Sequence, residues 1–547
     1  MKRNRLLNIF LSGLLVSSLL AGCSAGTAPS SPSSTAESVS ETASAGSAKD
    51  AAQEDETQDY GTLPFTTNGE TLTVFTGLDG NLTGIVNDYN ETAFFKELSK
   101  RTGINFSFTI PASGTEKESY NLMIASGNLT DLIAHNGFEY PEGTDAAVDD
   151  GYYLDMTPYI DTYLKDYQAV RTRGAYEEKS TITDKGRIAG FHIIYTEAQG
   201  PWMGIQIRKD WLDDLSLEVP VTFDDWEVML TKFKEDKGAY APLSIGQNGY
   251  METSHALSAG FGVYEDFMQV DGKVQYGPLQ DGWKEYLTLL SDWYAKGLLD
   301  PDFMTNGAWQ VDTAMVVNGQ TGAFNAMYTM ISQYENSAEG IRVIPVASPV
   351  KKAGDHLHIR REDAMVGNNV SISADSANKE LAMQLMNYFY SEEGSLLCNY
   401  GIEGDTFDFV EGKPQVTAKI SDNAEYSMSQ AQALYLMPPS RFGGLYDWTR
   451  ELASVPEKDQ EAFEVWSTAD DNYILPSRIT YTSEESSERA KIVAEVSTYM
   501  QETSVKFITG VENIDTGWDH YVSTLKSLGV ERAEEITQAA LDRFNAR

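Results

Sequence analysis

At 547 residues, 41% of them hydrophobic, the chain can hold two or more domains with sizeable cores. Its 81 acidic against 41 basic residues give a net charge of −40. Such a surface repels nucleic acid and anionic lipid headgroups, which excludes them as electrostatic partners. Only two Cys are present, so no disulfide framework holds the fold.

The chain opens with Lys2, Arg3 and Arg5 before an apolar run from Leu6 to Ala21. The run is short and ends in small residues, which predicts a cleaved export signal over residues 1–22, not a membrane span. The stretch Leu20-Ala21-Gly22-Cys23 resembles the lipobox of bacterial lipoproteins. That resemblance implies that Cys23 becomes the lipidated (palmitate-bearing) first residue of the mature chain, anchored at the extracellular face of the bacterial cell membrane. Residues 23–68 are acidic and rich in Ser, Thr and Ala, with no aromatic residue between Cys23 and Tyr60. They cannot bury enough apolar surface to offset their ordering entropy and are expected to be a disordered tether. A flexible coil of ~40 residues spans on the order of 35 Å. The other cysteine, in Leu396-Leu397-Cys398, reads as a small buried residue.

The body begins with alternating elements. Leu72-Thr73-Val74-Phe75 predicts a buried strand, and Phe94, Phe95 and Leu98 lie at helical spacing before a closing Gly103. Ile104 to Ile110 alternates as a half-buried strand, 116–125 is a second helix, and Asp131 to Ala134 is a third strand. Strand and helix in alternation at these lengths imply a parallel α/β sheet, with ligands beyond the carboxyl ends of its strands. His135 and Asn136 stand on that rim.

Farther along, Pro220 and Thr222 start a helix in which Trp226, Met229, Leu230 and Phe233 recur at helical spacing. Trp211 and Trp226 therefore read as core, and Arg208 and Lys209 as a solvated strand end. Asp271-Gly272 turns into a strand, and Trp283 to Ala295 is an amphipathic helix. Asp300 and Asp302 flank Pro301 in a helix-exit turn. Residues 313–330, rich in Gly, Asn and small side chains, read as a rim where a ligand can approach the backbone. Ile341 to Pro345 and Met365 to Ser373 predict strands, 378–390 a helix, and three further helices cover 489–507, 517–528 and 531–544.

Several stretches resemble the extracellular solute-binding proteins of bacterial ABC importers. Ile124 to Ile133 is similar to the family's "I-A-S-G-D-x-P-D-I-I", departing at Asn128 and Thr130, and Gly151 to Ile160 to its "G-x-x-x-D-L-T-P-Y-I". Thr183 to Gly190 follows "D-G-K-x-Y-G-L-P" except at Lys185 and Ala189. Ile207 to Leu212, followed by Pro220 to Trp226, is a close match to "I-R-K-D-W-L … P-x-T-x-D-E-W", and Leu298 to Phe303 resembles "G-L-L-D-P-E-F". Gly367 to Ser373 resembles the family's return strand, and Phe507 to Gly510 with Trp518 to Val522 its ending. Each motif alone is weak; in order, over most of the chain, they point to the carbohydrate-type, maltose-binding-protein-like branch, and within it to large Gram-positive lipoproteins.

The resemblance implies a two-lobe periplasmic-binding-protein-like α/β fold. Each lobe is a mostly parallel sheet flanked by helices, with a hinge and a helical C-terminal portion. The expected lobes are 69–203 plus 366–430, and 204–365 plus 431–547, with crossings near Gly204 and Val366. It also implies capture of a carbohydrate, an oligosaccharide by preference, and delivery to ABC permease subunits driven by a separate ATPase, with a monomeric binding protein and no cofactor. Sugar rings rest on aromatic faces while their hydroxyls need fixed polar partners. The expected ligand contacts are His135, Asn136, Trp202, Trp309, Asn325, Tyr328, Asn368 and Trp448. Trp448 lies in Arg441 to Trp448, a glycine-bearing aromatic stretch that reads as loop.

No serine elbow, zinc-protease motif or phosphate loop occurs, so catalysis is not expected. His356-Leu357-His358 has metal-ligand spacing, but no companion motif completes it, and no metal is assigned. Two other readings stand beside sugar capture. One is a binding protein for a peptide or other solute, or a ligand sensor for a membrane kinase. The other is a surface glycoside hydrolase, which would need two carboxylates facing across the cleft.

Overall fold

The computed structural model describes residues 61–547 apart from 135–139, 141–142, 198–199, 246–254, 306–309, 361–364 and 439–440, and describes 365–369 and 453–454 by their backbone alone. The signal, Cys23 and most of the tether lie outside the described residues.

Fourteen strands occur among the described residues. They are β1 (Thr71–Phe75), β2 (Asn105–Thr109), β3 (Leu132–Ala134), β4 (Phe191–Tyr195), β5 (Met203–Arg208), β6 (Leu243–Ser244), β7 (Phe267–Val270), β8 (Lys273–Tyr276), β9 (Ala323–Met327), β10 (Val343–Pro345), β11 (Met365–Ile372), β12 (Phe407–Val410), β13 (Lys413–Val416) and β14 (Gly444–Tyr446). A six-stranded sheet has the order β14-β4-β11-β3-β1-β2, and a four-stranded sheet the order β10-β5-β9-β6. Two antiparallel pairs, β7–β8 and β12–β13, stand apart from them.

Local signals explain the first elements. Thr92 caps the helix Ala93–Thr102 by accepting from the Phe95 N–H, and Gly103 ends it at φ 75°, a left-handed turn that costs glycine nothing. Phe94, Phe95 and Leu98 go inward, and the return strand β2 pairs in parallel with β1. In the second lobe, Thr222 and Asp225 form a reciprocal capping box at the start of Phe223–Lys237. Trp211 and Trp226 are core, at 6% and 0% exposure.

The larger sheet has β1, β3, β4 and β14 running one way and β11 against them. Its core joins Leu72, Phe95, Leu132, Ile194, Val370 and Met386. The smaller sheet has β5 antiparallel to both β9 and β10 and β6 parallel to β9. Its core joins Ile205, Trp226, Leu287 and Trp293 to the C-terminal helices Ser483–Ile508, Ile514–Ser527 and Val530–Ala546 through Phe507, Tyr521 and Leu541.

The chain passes between the sheets three times. It leaves β4 at Tyr195 and enters β5 at Met203, returns between β10 and β11, and passes again after β14 into the helix Glu457–Trp466, which packs on β10. Residues 431–446 remain with the larger sheet: Ala433, Leu434, Met437 and Phe442 enter its core, and β14 pairs with β4. This corrects the expectation that the second lobe resumes at 431; a three-residue strand opening on glycine is too short to stand out as periodicity. The same pairing corrects the reading of Arg441 to Trp448 as loop. Arg208 is corrected as well. It is 6% exposed, and its guanidinium grips Asp210 at 2.8 and 2.6 Å and the Val316 carbonyl at 2.9 Å. Cys398 is buried and free.

Candidate ligand-binding site

Strand directions set where a ligand can meet both lobes. Since β4 runs out of the larger sheet directly into β5, the carboxyl edge of β1, β3, β4 and β14 adjoins the amino end of β5. Because β5 is antiparallel to β9 and β10, that amino end is the carboxyl edge of β9, β6 and β10. The two carboxyl edges therefore face one another across the passages, the arrangement in which α/β sheets hold ligands.

An aromatic wall stands at this junction. Trp202, half-buried at the end of the first passage, lies 5.6 Å from Tyr328 and 5.4 Å from Trp448, the latter edge-on at 71°. Phe463 closes the group from behind, 4.6 Å from Tyr328 and 5.4 Å from Trp448, and Tyr195 packs 6.1 Å from Trp448. Tyr328 and Trp448 are 2% and 3% exposed, so they support the wall while Trp202 offers its accessible part. Polar groups are fixed beside it. The hydroxyls of Tyr328 and Tyr446 donate to the two oxygens of Glu451 at 3.3 and 3.0 Å. Burial, and then the Glu451 charge, push the Tyr328 phenol well above its ordinary range, so it stays a neutral donor. The Arg450 guanidinium also reaches the Tyr446 hydroxyl.

Two glycines, Gly200 in the first passage and Gly204 at the start of β5, shape the crossing. A Cβ at Gly200 would meet Phe463 at 2.7 Å, and one at Gly204 would meet the Trp466 indole at 2.3 Å. The absent side chains let the helix Glu457–Trp466 lay its rings on the passage.

The other expected contacts are placed as follows. His135, Asn136 and Trp309 lie outside the described residues. Asn368 falls within the register shift between Val366 and Asn369 where β11 pairs with β4, and its side chain is outside the described set. Asn325 is fully buried in β9, opposite Ile205, and has no surface to offer a ligand in this conformation. Of the candidate rim 313–330, Ala323–Met327 is an inner strand of the smaller sheet, walled by β5 and β6, and only its carboxyl end at Met327 and Tyr328 reaches the junction. The structure thus brings together Trp202, Tyr328 and Trp448. It adds Tyr446 from the same aromatic stretch as Trp448, and Tyr195, Arg450 and Glu451, which had no signal beyond residue type.

A second feature lies along the lobe boundary. A cavity of about 540 Å³ is lined by Asp145, Thr183 and His192 from the larger-sheet lobe and by Arg478, Tyr481 and Arg543 from the C-terminal portion. Asp184 organises it, accepting from Thr480 Oγ1 at 2.7 Å, Arg543 Nε at 3.0 Å and Arg547 Nη2 at 2.7 Å. Burial alone would raise its carboxyl, but these donors outweigh burial and hold it below the usual range.

The chain is 25% identical over 495 residues, 84% of its length and 88% of the other's, to the fructooligosaccharide ABC transporter substrate-binding protein FusA of Streptococcus pneumoniae. It is 22% identical to Lipoprotein LipO of Bacillus subtilis over 336 residues, 58% of this chain and 64% of that one. In fold it is similar to an HMO-binding, ABC-transporter-associated solute-binding protein of Bifidobacterium longum infantis. That match has TM-score 0.71 and 19% identity, covering 87% of this chain and 99% of the other. The architecture is the two-lobed α/β fold of periplasmic-binding-protein-like molecules. Residues 84–395, more than half of the chain, match the bacterial extracellular solute-binding protein family, and the chain belongs to that family as a binding protein, not an enzyme.

Proposed function

We propose that this protein is the extracellular, membrane-anchored capture component of an ABC importer for carbohydrate, with an oligosaccharide as its cargo. The observation that carries the reading is Trp202, half-buried on an aromatic wall between facing carboxyl edges of two sheets, in a chain whose relative FusA is named for fructooligosaccharide. A sugar's C–H face suits the indole, and a fixed acceptor such as the Glu451 carboxylate, 17% exposed, suits its hydroxyls. Ligand that touches both lobes favours the closed arrangement, because only there are both sets of contacts made. The closed form is then the one a permease recognises. Anchoring through Cys23 is supported by the lipobox-like sequence and by the relative LipO, which is named a lipoprotein.

The test is a thermal-shift and calorimetric screen of the full chain against mono- and oligosaccharides, peptides and amino acids. Saturable stabilisation by one oligosaccharide class is expected. Stabilisation by peptides or charged solutes alone would overturn the sugar assignment and leave the family unchanged.

A further inference from the structure

The return passage from the smaller to the larger sheet carries His356 and His358, and the structure supplies the companion that the sequence does not display. Asp470, 112 residues beyond His358, reaches both rings. His356 Nε2 lies 2.9 Å from Asp470 Oδ2. His358 Nδ1 lies 3.0 Å from the same oxygen and 3.1 Å from Oδ1. The rings stand 5.0 Å apart at 71°.

The backbone fixes this convergence. The Asp470 N–H donates to the Leu357 carbonyl between the two histidines at 3.0 Å, and the Tyr473 N–H donates to the His358 carbonyl at 3.0 Å. The Asn472 N–H holds Asp470 Oδ1 at 3.0 Å, and the Tyr473 ring packs on His358 at 4.7 Å. Leu357 itself is buried with Val350 and Ala469. Two separated segments are thus pinned so that two imidazole nitrogens and a carboxylate oxygen meet at one point. The side chains are 58%, 35% and 33% exposed, so an ion and its waters have access.

The donor set decides what the point can hold. Calcium and magnesium call for oxygen ligands. Two imidazoles with one carboxylate suit Zn²⁺ and its first-row neighbours. At metal–ligand distances of about 2.0–2.2 Å, adjacent donors sit about 3.0 Å apart in an octahedral shell and about 3.4 Å apart in a tetrahedral one. The nitrogen–carboxylate separations of 2.9–3.1 Å match the first, and the three donor atoms all lie within 4.8 Å of one another, a span that exposed imidazoles can close on an ion. The net charge of −40 adds a long-range attraction for cations. We propose that His356, His358 and Asp470 form a binding site for a Zn²⁺-class ion, completed by water, that staples the return passage to the segment following the helix Glu457–Trp466.

The full chain, stripped by a chelator, is titrated with Zn²⁺ against a chromophoric competitor, and its melting temperature is followed. One tight equivalent is expected. At ~100 times Kd the melting temperature should rise by about 2–3 °C for a body of this size. His358→Asn and Asp470→Asn should each abolish the tight equivalent and the shift, while His520→Asn, at an exposed histidine of the helix Ile514–Ser527, should keep both. Weak binding of several equivalents, unchanged by the first two variants, would mark adventitious capture on an acidic surface and overturn the site. Absence of Zn²⁺ binding would overturn it equally. If both variants fail to fold, Co²⁺ added to the parent chain decides: d–d bands shifted and intensified relative to hydrated Co²⁺, and lost on adding Zn²⁺, uphold imidazole ligation, and an unaltered spectrum of hydrated Co²⁺ refutes it.

Discussion

Replacing Gly204 by alanine tests whether the aromatic wall fixes the first passage between the lobes. The new Cβ would stand 2.3–2.5 Å from the Cε2, Cδ2 and Nε1 atoms of Trp466. Carbon contacts settle at about 3.5–4.0 Å, so the indole must retreat by more than about 1 Å. It has little room. Trp466 is 8% exposed and packs among Phe463, Trp448 and Phe324 in the cluster that joins the lobes. Its Nε1–H also donates to the Ile205 carbonyl at 3.3 Å, a bond that the retreat would break. Overpacking of this kind costs ~1–3 kcal/mol, and the lost hydrogen bond about 1 more. Gly204→Ala should therefore destabilise the body by ~2–4 kcal/mol, which for ~490 residues is on the order of 2–4 °C in melting temperature. The control is a double-mutant cycle with Trp466→Leu. With the indole gone, the alanine should cost less than about 1 kcal/mol, giving a coupling of at least about 1 kcal/mol. An unchanged melting temperature for Gly204→Ala, or the same loss in both backgrounds, would refute the contact.

Three further outcomes are expected. Trp202→Ala should weaken ligand binding by roughly 10- to 100-fold while shifting stability by no more than about 1 kcal/mol, since the ring is half-buried; calorimetry and melting curves separate the two effects, and unchanged affinity would remove Trp202 from the site. Asp184→Asn should cost about 1–3 kcal/mol at pH 7, where the ionised carboxylate serves Arg543, Arg547 and Thr480. Because the folded carboxyl titrates below its unfolded range, its contribution is present above about pH 4 and fades as pH falls through the folded value. Parent and variant should converge in denaturation curves as pH falls below the unfolded carboxylate range and on through the folded one; a constant gap would refute the linkage. Cys23→Ser should release the protein from the membrane fraction into the medium, as read by immunoblot.

Much of the architecture was legible because it rests on local signals. The alternation of β1, Ala93–Thr102 and β2, with Gly103 between helix and strand, is written in ten-residue windows. So is the capping box at Thr222. The site was less legible, since an aromatic side chain has the same composition whether it meets a sugar or a neighbouring ring. Tyr328 and Trp448 were expected as contacts and stand buried behind Trp202. Asn325 is expected as a ligand partner from its position in the family pattern, but its place on an inner strand is set by β5 and β6, far away in sequence. Arg208 looked solvated because its partner Asp210 sits beyond the end of the strand, where the chain turns back. Asp470 gave no signal at all, because only the course of the chain after β10 brings His358 to it.

The threading of the chain through both sheets has a consequence for how the protein is made. β11 is inserted between β3 and β4, and β14 closes the far side of β4, so the larger sheet waits for residue 446. The other core draws on Leu541 in the last helix. The larger core cannot close before residue 446 and the smaller one not before the last helix, so a truncation anywhere before that helix leaves at least one hydrophobic face open. Folding is therefore a late, long-range event, slower than the sequential completion of modules.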